Sequence, residues 1–239
     1  MIVLQYAVHG SVPSYLDKNI NKLTWEMKLQ HLMDIANRLV AIYYSQLIHC
    51  DLHGGNIVLN DYKPLICDLG LSKTVNLSES STSTVQGVLP YIAPEVLHSH
   101  KFTQKSDIYS FGIIMYQIAD GEPPFRNWLS DDNLLAMRIC NGLRPEMPDS
   151  APDEYKKLAE RCCDADSNNR PVNGEELYYI IDKLIKGIKD NDDAWNTIYY
   201  KKNIRPLLRI EKENKYSSRL LPTGNLPKPR NSWAETVEV

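Results

Sequence analysis

The sequence lacks the long apolar runs and the excess of basic charge that mark several large classes of protein. None of its apolar runs approaches the about 20 residues that a membrane-spanning helix needs. The net charge is −3, which does not favour a nucleic-acid-binding surface. The first residues carry no basic region and no cleavage site, so we expect no signal peptide. These absences predict a cytoplasmic protein with no nucleic-acid or membrane partner.

Cysteines are few and scattered. The five cysteines, at positions 50, 67, 140, 162 and 163, form no C-x-x-C pair and no zinc-binding spacing. An odd, scattered set indicates reduced thiols in the cytosol. Cys67 either packs as a small core residue, the commoner role of such a cysteine, or lines a ligand site.

Apolar periodicity predicts a mainly helical chain. Residues spaced alternately by four and three predict a long amphipathic helix that begins after Thr24. These residues are Trp25, Leu29, Leu32, Ala36, Leu39 and Tyr43. A second apolar helix is expected to begin near Ser106, and three more are expected at about 131–141, 153–162 and 174–188.

Residues 48–70 combine two short apolar runs with three polar residues. The runs 57–59 and 64–67 flank the turn signal Asn60-Asp61, which predicts a β-hairpin. Asn56 directly precedes the first run and Asp68 directly follows the second. The hairpin would therefore hold Asn56 and Asp68 close together at one cleft.

The chemistry of these side chains indicates phosphoryl transfer. A carboxylate beside an amide oxygen suits Mg²⁺ that also carries phosphate oxygens. Asp51 lies five residues before Asn56 and offers a carboxylate that can accept the proton of an attacking hydroxyl. Together, Asp51, Asn56 and Asp68 form a metal-and-base arrangement.

Three segments resemble motifs of the eukaryotic protein kinase family. Residues 49–56, His-Cys-Asp-Leu-x-x-x-Asn, resemble its catalytic loop H-R-D-L-x-x-x-N. Residues 68–70, Asp-Leu-Gly, resemble its D-F-G motif, and residues 93–95, Ala-Pro-Glu, resemble its A-P-E motif. The three occur in the family order and at similar separations, which makes a chance match improbable.

The resemblance implies a mainly α fold within the α+β kinase class. Residues 1–190 would form the hinge and the helical C-terminal lobe with a small β-hairpin, and the N-terminal lobe would be largely missing. The sequence contains no G-x-G-x-x-G loop and no V-A-x-K lysine, so we expect a truncated chain that binds Mg-ATP weakly alone. Residues 191–239 would form a C-terminal extension, a largely disordered tail from about 205. Within it, residues 216–222 resemble tails of kinases in early-diverging fungi.

The resemblance also implies ligand contacts on both sides of the cleft. Asp51 would be the catalytic base, with Asn56 and Asp68 as further catalytic residues that hold Mg²⁺ against ATP. On the adenine side, Leu4 would be the gatekeeper and would contact adenine together with Val58. The backbone of Gln5 and Ala7 would bond the adenine edge, and Cys67 would border the nucleotide.

Two further polar residues have roles implied by the family. Asp107 would bond backbone N–H groups of the catalytic loop, and its alternative role is that of a plain partner for the helix N-terminus. Arg170 would pair with Glu95 in a buried ion pair, and its alternative is a solvated arginine before a helix.

Three substitutions depart from the family pattern. Cys50 replaces the loop arginine, so phosphate on the hydroxyl-rich loop from Ser78 to Thr84 would lose its usual cationic partner. His53 replaces a lysine, and Val88 replaces the threonine that usually bonds it. We therefore expect the developing phosphoryl charge to rest more on Mg²⁺ and on His53.

The sequence predicts a protein kinase active in signal transduction, which transfers the γ-phosphoryl group of ATP to a protein substrate. The acceptor would be a serine or threonine hydroxyl, with tyrosine as a second possibility. The alternative is a non-catalytic kinase-like scaffold that binds other proteins.

Overall fold

The computed structural model describes residues 6–61, 63–75, 84–126, 131–190, 216–221, 223–224 and 226–232. Leu4, Gln5 and the hydroxyl-rich positions 78–83 therefore lie outside the described residues. Tyr6 and Ala7 are the first described residues, and they lie outside the strands.

The described residues form seven α-helices, six short strands and four 3₁₀ turns. The helices are α1 (Val12–Asn19), α2 (Trp25–Tyr44), α3 (Pro94–Ser99), α4 (Gln104–Asp120), α5 (Asp132–Cys140), α6 (Asp153–Cys162) and α7 (Gly174–Asp190). The strands are β1 (Leu47–Ile48), β2 (Ile57–Asn60), β3 (Lys63–Ile66), β4 (Lys73–Thr74), β5 (Val85–Gly87) and β6 (Arg219–Leu221). The 3₁₀ turns are Ile20–Lys22, Gly54–Asn56, Leu89–Tyr91 and Ser167–Asn169.

Helix α2 confirms the periodicity prediction. All six residues of the predicted stripe are buried. The Thr24 hydroxyl accepts a hydrogen bond from the backbone N–H of Met27 at 3.1 Å, as expected of an N-cap. The helix ends beside β1, so it leads directly into the predicted catalytic loop.

Helix α4 lies at the centre of the helical core. Its residues from Ser106 to Ala119 are all buried, as in a helix enclosed on every side. Thr103 and Ser106 form a reciprocal capping box at its N-terminus. At Gly112 an added Cβ would lie 2.6 Å from Cys163 Sγ and 2.7 Å from Cys162 Cβ, so only glycine lets α6 approach this closely.

Three antiparallel strand pairs position the loops. The hairpin β2–β3 pairs Ile57 with Ile66 and Asn60 with Lys63, which confirms the hairpin predicted around Asn60-Asp61. Strand β1 pairs with β4. Strand β5 pairs with β6, which joins two parts of the chain more than 130 residues apart in sequence.

The described part of the C-terminal segment differs from the expected disorder. Residues 219–221 form a strand, the backbone N–H of Arg230 donates to the carbonyl of Cys140 at 3.0 Å, and Asn231 binds both Ala165 and Asp164. Sequence pattern gave no sign of this, because the segment has no apolar period of its own. It gains order from the free edge of β5 and from contacts on the helical core.

No helix in the described ranges is both long and apolar enough to span a membrane.

Candidate active site

The segment His49–Asp51 is fixed by a buried carboxylate from α4. Asp107 Oδ2 accepts the backbone N–H of His49 at 2.8 Å, and Oδ1 accepts that of Cys50 at 3.1 Å. This confirms the predicted loop-bracing role over the helix-dipole alternative. The bracing matters because Cys50 has φ of 67°, a conformation that non-glycine residues adopt only when the surroundings enforce it. Burial raises the pKa of Asp107 to about 7. The hydrogen bonds from the backbone N–H groups of His49 and Cys50 have the opposite, smaller effect on this pKa.

His49 connects the predicted catalytic loop with the residue before Asp68. Its Nε2 lies 3.3 Å from the carbonyl oxygen of Cys67, and its Nδ1 accepts the backbone N–H of Asp51 at 3.3 Å. Burial lowers the pKa of His49, so the ring is neutral near pH 7. A neutral ring with the proton on Nε2 satisfies both contacts.

Asp51 presents a buried carboxylate that is suited to accepting a proton. Its Oδ1 is buried and has no hydrogen-bond partner among the described residues. Burial raises the pKa of Asp51 to about 6, and the charge of Asp68 raises it further. The pKa of Asp51 is lowered by polar groups of three residues, Ser218, Val88 and Asn56. None of these groups makes a hydrogen bond of standard geometry to Oδ1. A pKa this close to neutrality is typical of a general base.

The hairpin brings Asn56 and Asp68 to the same end, as the sequence predicted. Asn56 precedes β2, Asp68 follows β3, and the backbone N–H of Cys67 donates to the Asn56 carbonyl at 2.9 Å. Asn56 Nδ2 donates to the carbonyl of Asp51 at 2.9 Å, which fixes its amide. Asp68 has φ of 60°, and its Oδ1 accepts the N–H of Gly70 at 3.1 Å.

This donor set fits Mg²⁺ that is held partly by phosphate. Asn56 Oδ1 and the exposed carboxylate of Asp68 are hard oxygen donors, and Mg²⁺ usually takes only one or two protein ligands when phosphates supply others. Within the described ranges, no group of three or more His, Cys, Asp or Glu side chains could hold a metal ion unaided. Asn56 and Asp68 alone would leave most coordination positions of Mg²⁺ to other oxygen atoms.

The predicted adenine side is only partly within the described residues. The backbone of residues 9–11 runs beside β2, with Leu59 bonded to His9 and Gly10 and with Ser11 bridged to Val58. Ala7 lies just before this contact, and its carbonyl accepts the N–H of Gly10 at 3.1 Å. Ala7 and the half-buried Val58 therefore lie in neighbouring parts of the structure.

Cys67 is half-buried at the end of the hairpin. Its thiol donates to the carbonyl of Asn56 at 3.2 Å, and burial followed by the charge of Asp68 raises its pKa. The thiol is therefore protonated at neutral pH. It borders the Asn56–Asp68 end of the cleft and does not lie in the helical core.

The two substituted positions of the catalytic loop carry no charge. Burial, followed by the charge of Asp107, raises the pKa of Cys50 to about 12. Burial lowers the pKa of His53 to about 4. The His53 Nδ1 accepts the N–H of Gly55 at 3.0 Å, and its Nε2 lies 3.8 Å from Asp51 Oδ2. His53 is therefore neutral near pH 7. The expectation that part of the phosphoryl charge rests on His53 stays a prediction.

The predicted Arg170–Glu95 pair is present. Two guanidinium nitrogens of Arg170 bind the two Glu95 oxygens at 2.7 Å each, and the arginine side chain is fully buried. Two further N–H groups of Arg170 donate to the carbonyl oxygens of Asp164 and Lys105. The alternative of a solvated arginine is excluded, and the pair joins α3 to the segment before α7.

Sequence reasoning missed two neighbours of Asp51. At Gly87 an added Cβ would lie 3.4 Å from Asp51 Oδ1, so the chain of β5 passes close to the carboxylate. The Ser218 hydroxyl, near the start of β6, is close enough to lower the pKa of Asp51. In the sequence, the only sign that the segment around Ser218 packs on the core was the apolar pair Leu220-Leu221 beside two serines in a polar tail.

Comparison with known proteins agrees with this geometry. A family model for the protein tyrosine and serine/threonine kinases matches residues 1–177. The chain therefore belongs to the protein kinase family.

Among curated relatives, a probable serine/threonine-protein kinase of Dictyostelium discoideum is 32% identical over 187 residues, which cover 75% of this chain and 14% of the relative. A dual specificity protein kinase of the same organism is 33% identical over 186 residues, with 76% and 26% covered. An LRR receptor-like serine/threonine-protein kinase of Oryza sativa subsp. japonica is 28% identical over 204 residues, with 78% and 21% covered. The chain thus spans between 14% and 26% of the length of these three relatives.

Proposed function

We propose that this protein transfers the γ-phosphoryl group of ATP to serine or threonine hydroxyls of protein substrates. The observation that carries the proposal is the Asp51 carboxylate, buried, open at Oδ1 and held beside Asn56 and Asp68. A serine or threonine acceptor is supported by two of the three relatives described above, which are named serine/threonine-protein kinases. Tyrosine is the second candidate acceptor, because another relative is named a dual specificity kinase.

In this proposal each residue of the cleft has a separate task. Asp51 accepts the proton of the substrate hydroxyl, and Asn56 and Asp68 hold Mg²⁺. The metal, when bound, neutralises the charge of the phosphate groups. Asp107 keeps the backbone of the catalytic loop in place, so that the Asp51 carboxylate points into the cleft.

The adenine side and the domain organisation complete the proposal. Leu4 and Val58 contact adenine, the backbone of Gln5 and Ala7 bonds its edge, and Cys67 borders the nucleotide. Residues 1–190 form the hinge and C-terminal lobe of a kinase domain. Because the 239 residues contain neither a Gly-rich loop nor a V-A-x-K lysine, we propose that full turnover needs a small lobe that supplies both.

The test is phosphoryl transfer to casein by the protein fused to a small kinase lobe that supplies the Gly-rich loop and the lysine. Asp68→Asn removes one negative metal ligand and should lower kcat by at least about two orders of magnitude. Asp61→Asn is the matched control, since it makes the same chemical change at the exposed turn of the hairpin. Asparagine also tolerates the positive φ there.

The alternative, a non-catalytic scaffold, predicts a different outcome. Equal turnover in the Asp68→Asn and Asp61→Asn variants would refute the metal site. No transfer by the unaltered protein would favour the scaffold.

A further inference from the structure

The segment 216–221 lies along the edge of β5, in the part of the chain that leads from the cleft towards Ala93-Pro94-Glu95. Strand β6 pairs antiparallel with β5, with Val85 opposite Leu221 and Gly87 opposite Arg219. Val85 and Leu221 are both buried, so the segment is docked through a side chain as well as through backbone bonds.

Two side chains anchor the segment at positions flanking Ser218. The Tyr216 hydroxyl donates to the carbonyl of Pro124 at 3.0 Å. The Arg219 guanidinium binds both carboxylate oxygens of Asp132, the first residue of α5, at 2.9 Å. These anchors fix the position of Ser218 between them.

Ser218 is thereby held at the Asp51 carboxylate. Within the described residues, neither the buried Ser218 Oγ nor the buried Asp51 Oδ1 has a hydrogen-bond partner of standard geometry. Arg219, the residue after Ser218, pairs with Gly87, where an added Cβ would lie 3.4 Å from Asp51 Oδ1, so the strand pairing brings Ser218 to this carboxylate. Buried polar groups are usually satisfied, so two neighbouring buried groups without a partner indicate a site arranged for a reaction. A hydroxyl beside the general base is what a kinase substrate offers.

We propose that residues 216–221 lie in the protein-substrate site as an internal substrate, with Ser218 as the hydroxyl that receives the γ-phosphoryl group. This inference rests on the proposed kinase function. The Ser218 oxygen forms a bond to the γ-phosphorus of ATP, while the bond from that phosphorus to the oxygen shared with the β-phosphate breaks. ADP leaves with that electron pair, and the hydroxyl proton passes to Asp51.

Phosphorylation of Ser218 also opens the site. The new phosphate carries nearly two negative charges beside the Asp51 carboxylate, and neighbouring like charges repel one another. The phosphorylated segment therefore leaves the β5 edge. Before phosphorylation the segment excludes other protein substrates, and afterwards it admits them.

The first test needs no kinase activity. Hydrogen–deuterium exchange of the backbone amides of residues 84–88 is measured in the unphosphorylated full chain and in two variants. Leu221→Asp places a charge at a buried position and should speed this exchange several-fold. The matched control, Leu220→Asp, makes the same change at a side chain that is 66% exposed and should leave the exchange unchanged. Equal exchange in the two variants would overturn the docking of the segment.

The second test maps phosphate in the preparation used for the casein assay. Mass spectrometry should find phosphate on Ser218, formed at a rate per molecule that does not depend on protein concentration. Ser218→Ala should abolish this phosphate, and Ser217→Ala should retain it. Leu221→Asp should lose it and phosphorylate casein faster.

The outcomes separate the two proposals. The internal-substrate proposal alone would be overturned by either of two results. One is transfer to casein without phosphate on Ser218. The other is a rate of Ser218 phosphorylation per molecule that rises with protein concentration. No transfer to either casein or Ser218 would overturn the kinase function as well.

Discussion

At the scale of single residues, the raised pKa of Asp51 depends on burial and on the absence of charge on the neighbouring side chains of Cys50 and His53. The catalytic-loop positions beside it carry a buried thiol, with the pKa of Cys50 raised to about 12, and a neutral imidazole, with the pKa of His53 lowered to about 4. A cation at either position would lower the pKa of the carboxylate. With burial as the largest effect and Asp68 adding to it, the pKa of Asp51 rises to about 6.

This pKa predicts the pH dependence of turnover. Asp51 accepts a proton only when it is ionised, and its pKa is raised from 3.8 to about 6, so activity should be lost as the pH falls through about 6. The measurement is kcat/KM for casein between pH 4.5 and 8. An unchanged kcat/KM down to pH 4.5 would show that Asp51 is not the base.

At the scale of elements, the Arg170–Glu95 pair joins parts of the chain that are distant in sequence. It links the first turn of α3 to the segment before α7 through a fully buried guanidinium. The chain also has a more exposed pair, in which one nitrogen of Arg161 binds one oxygen of Glu176 at 2.7 Å and 41% of the arginine side chain is exposed. The two pairs differ in burial and in the number of hydrogen bonds between the partners.

Removing the two arginines should therefore have unequal effects on stability. Arg170→Ala removes both bonds to the Glu95 carboxylate and the bonds to the carbonyl oxygens of Asp164 and Lys105, and it should lower the free energy of unfolding by about 3–5 kcal/mol. Arg161→Ala should cost about 1 kcal/mol or less, because the pair is hydrated. Urea denaturation measures both changes. A loss at Arg170 no larger than that at Arg161 would contradict the buried-pair account.

The loop between Asp68 and Glu95 gives a second prediction at this scale. Its usual cationic partner is absent, because Cys50 is a neutral, buried thiol. Replacing all six hydroxyl residues from Ser78 to Thr84 with alanine should therefore change turnover by less than about tenfold, equivalent to roughly 1.4 kcal/mol in the barrier. A larger fall would mean that another cation binds phosphate on this loop, and Lys73, which lies near Cys50, would be the first to replace.

At the scale of the whole molecule, local patterns predicted the helical core and the centre of the site. The α2 stripe, the β2–β3 hairpin, the loop-bracing Asp107 and the Arg170–Glu95 pair were all expected, because each follows from local periodicity or from a kinase motif. The docking of residues 216–221 was not expected. It depends on contacts such as Arg219–Asp132, 87 residues apart, which no local pattern encodes. The neutral charge state of His53 could not be predicted from the sequence, because burial in the folded chain decides it.

The central claim is that Asp51 is the base of a phosphoryl-transfer site, and the most direct measurement is the rate of γ-phosphoryl transfer to casein at pH 7.5 with Mg²⁺. In protein that carries a small lobe, Asp51→Asn should lower kcat by at least about a hundredfold, since it removes the proton acceptor without changing its size. Asp61→Asn should retain the unaltered rate. Equal rates in the Asp51→Asn and Asp61→Asn variants would contradict the account.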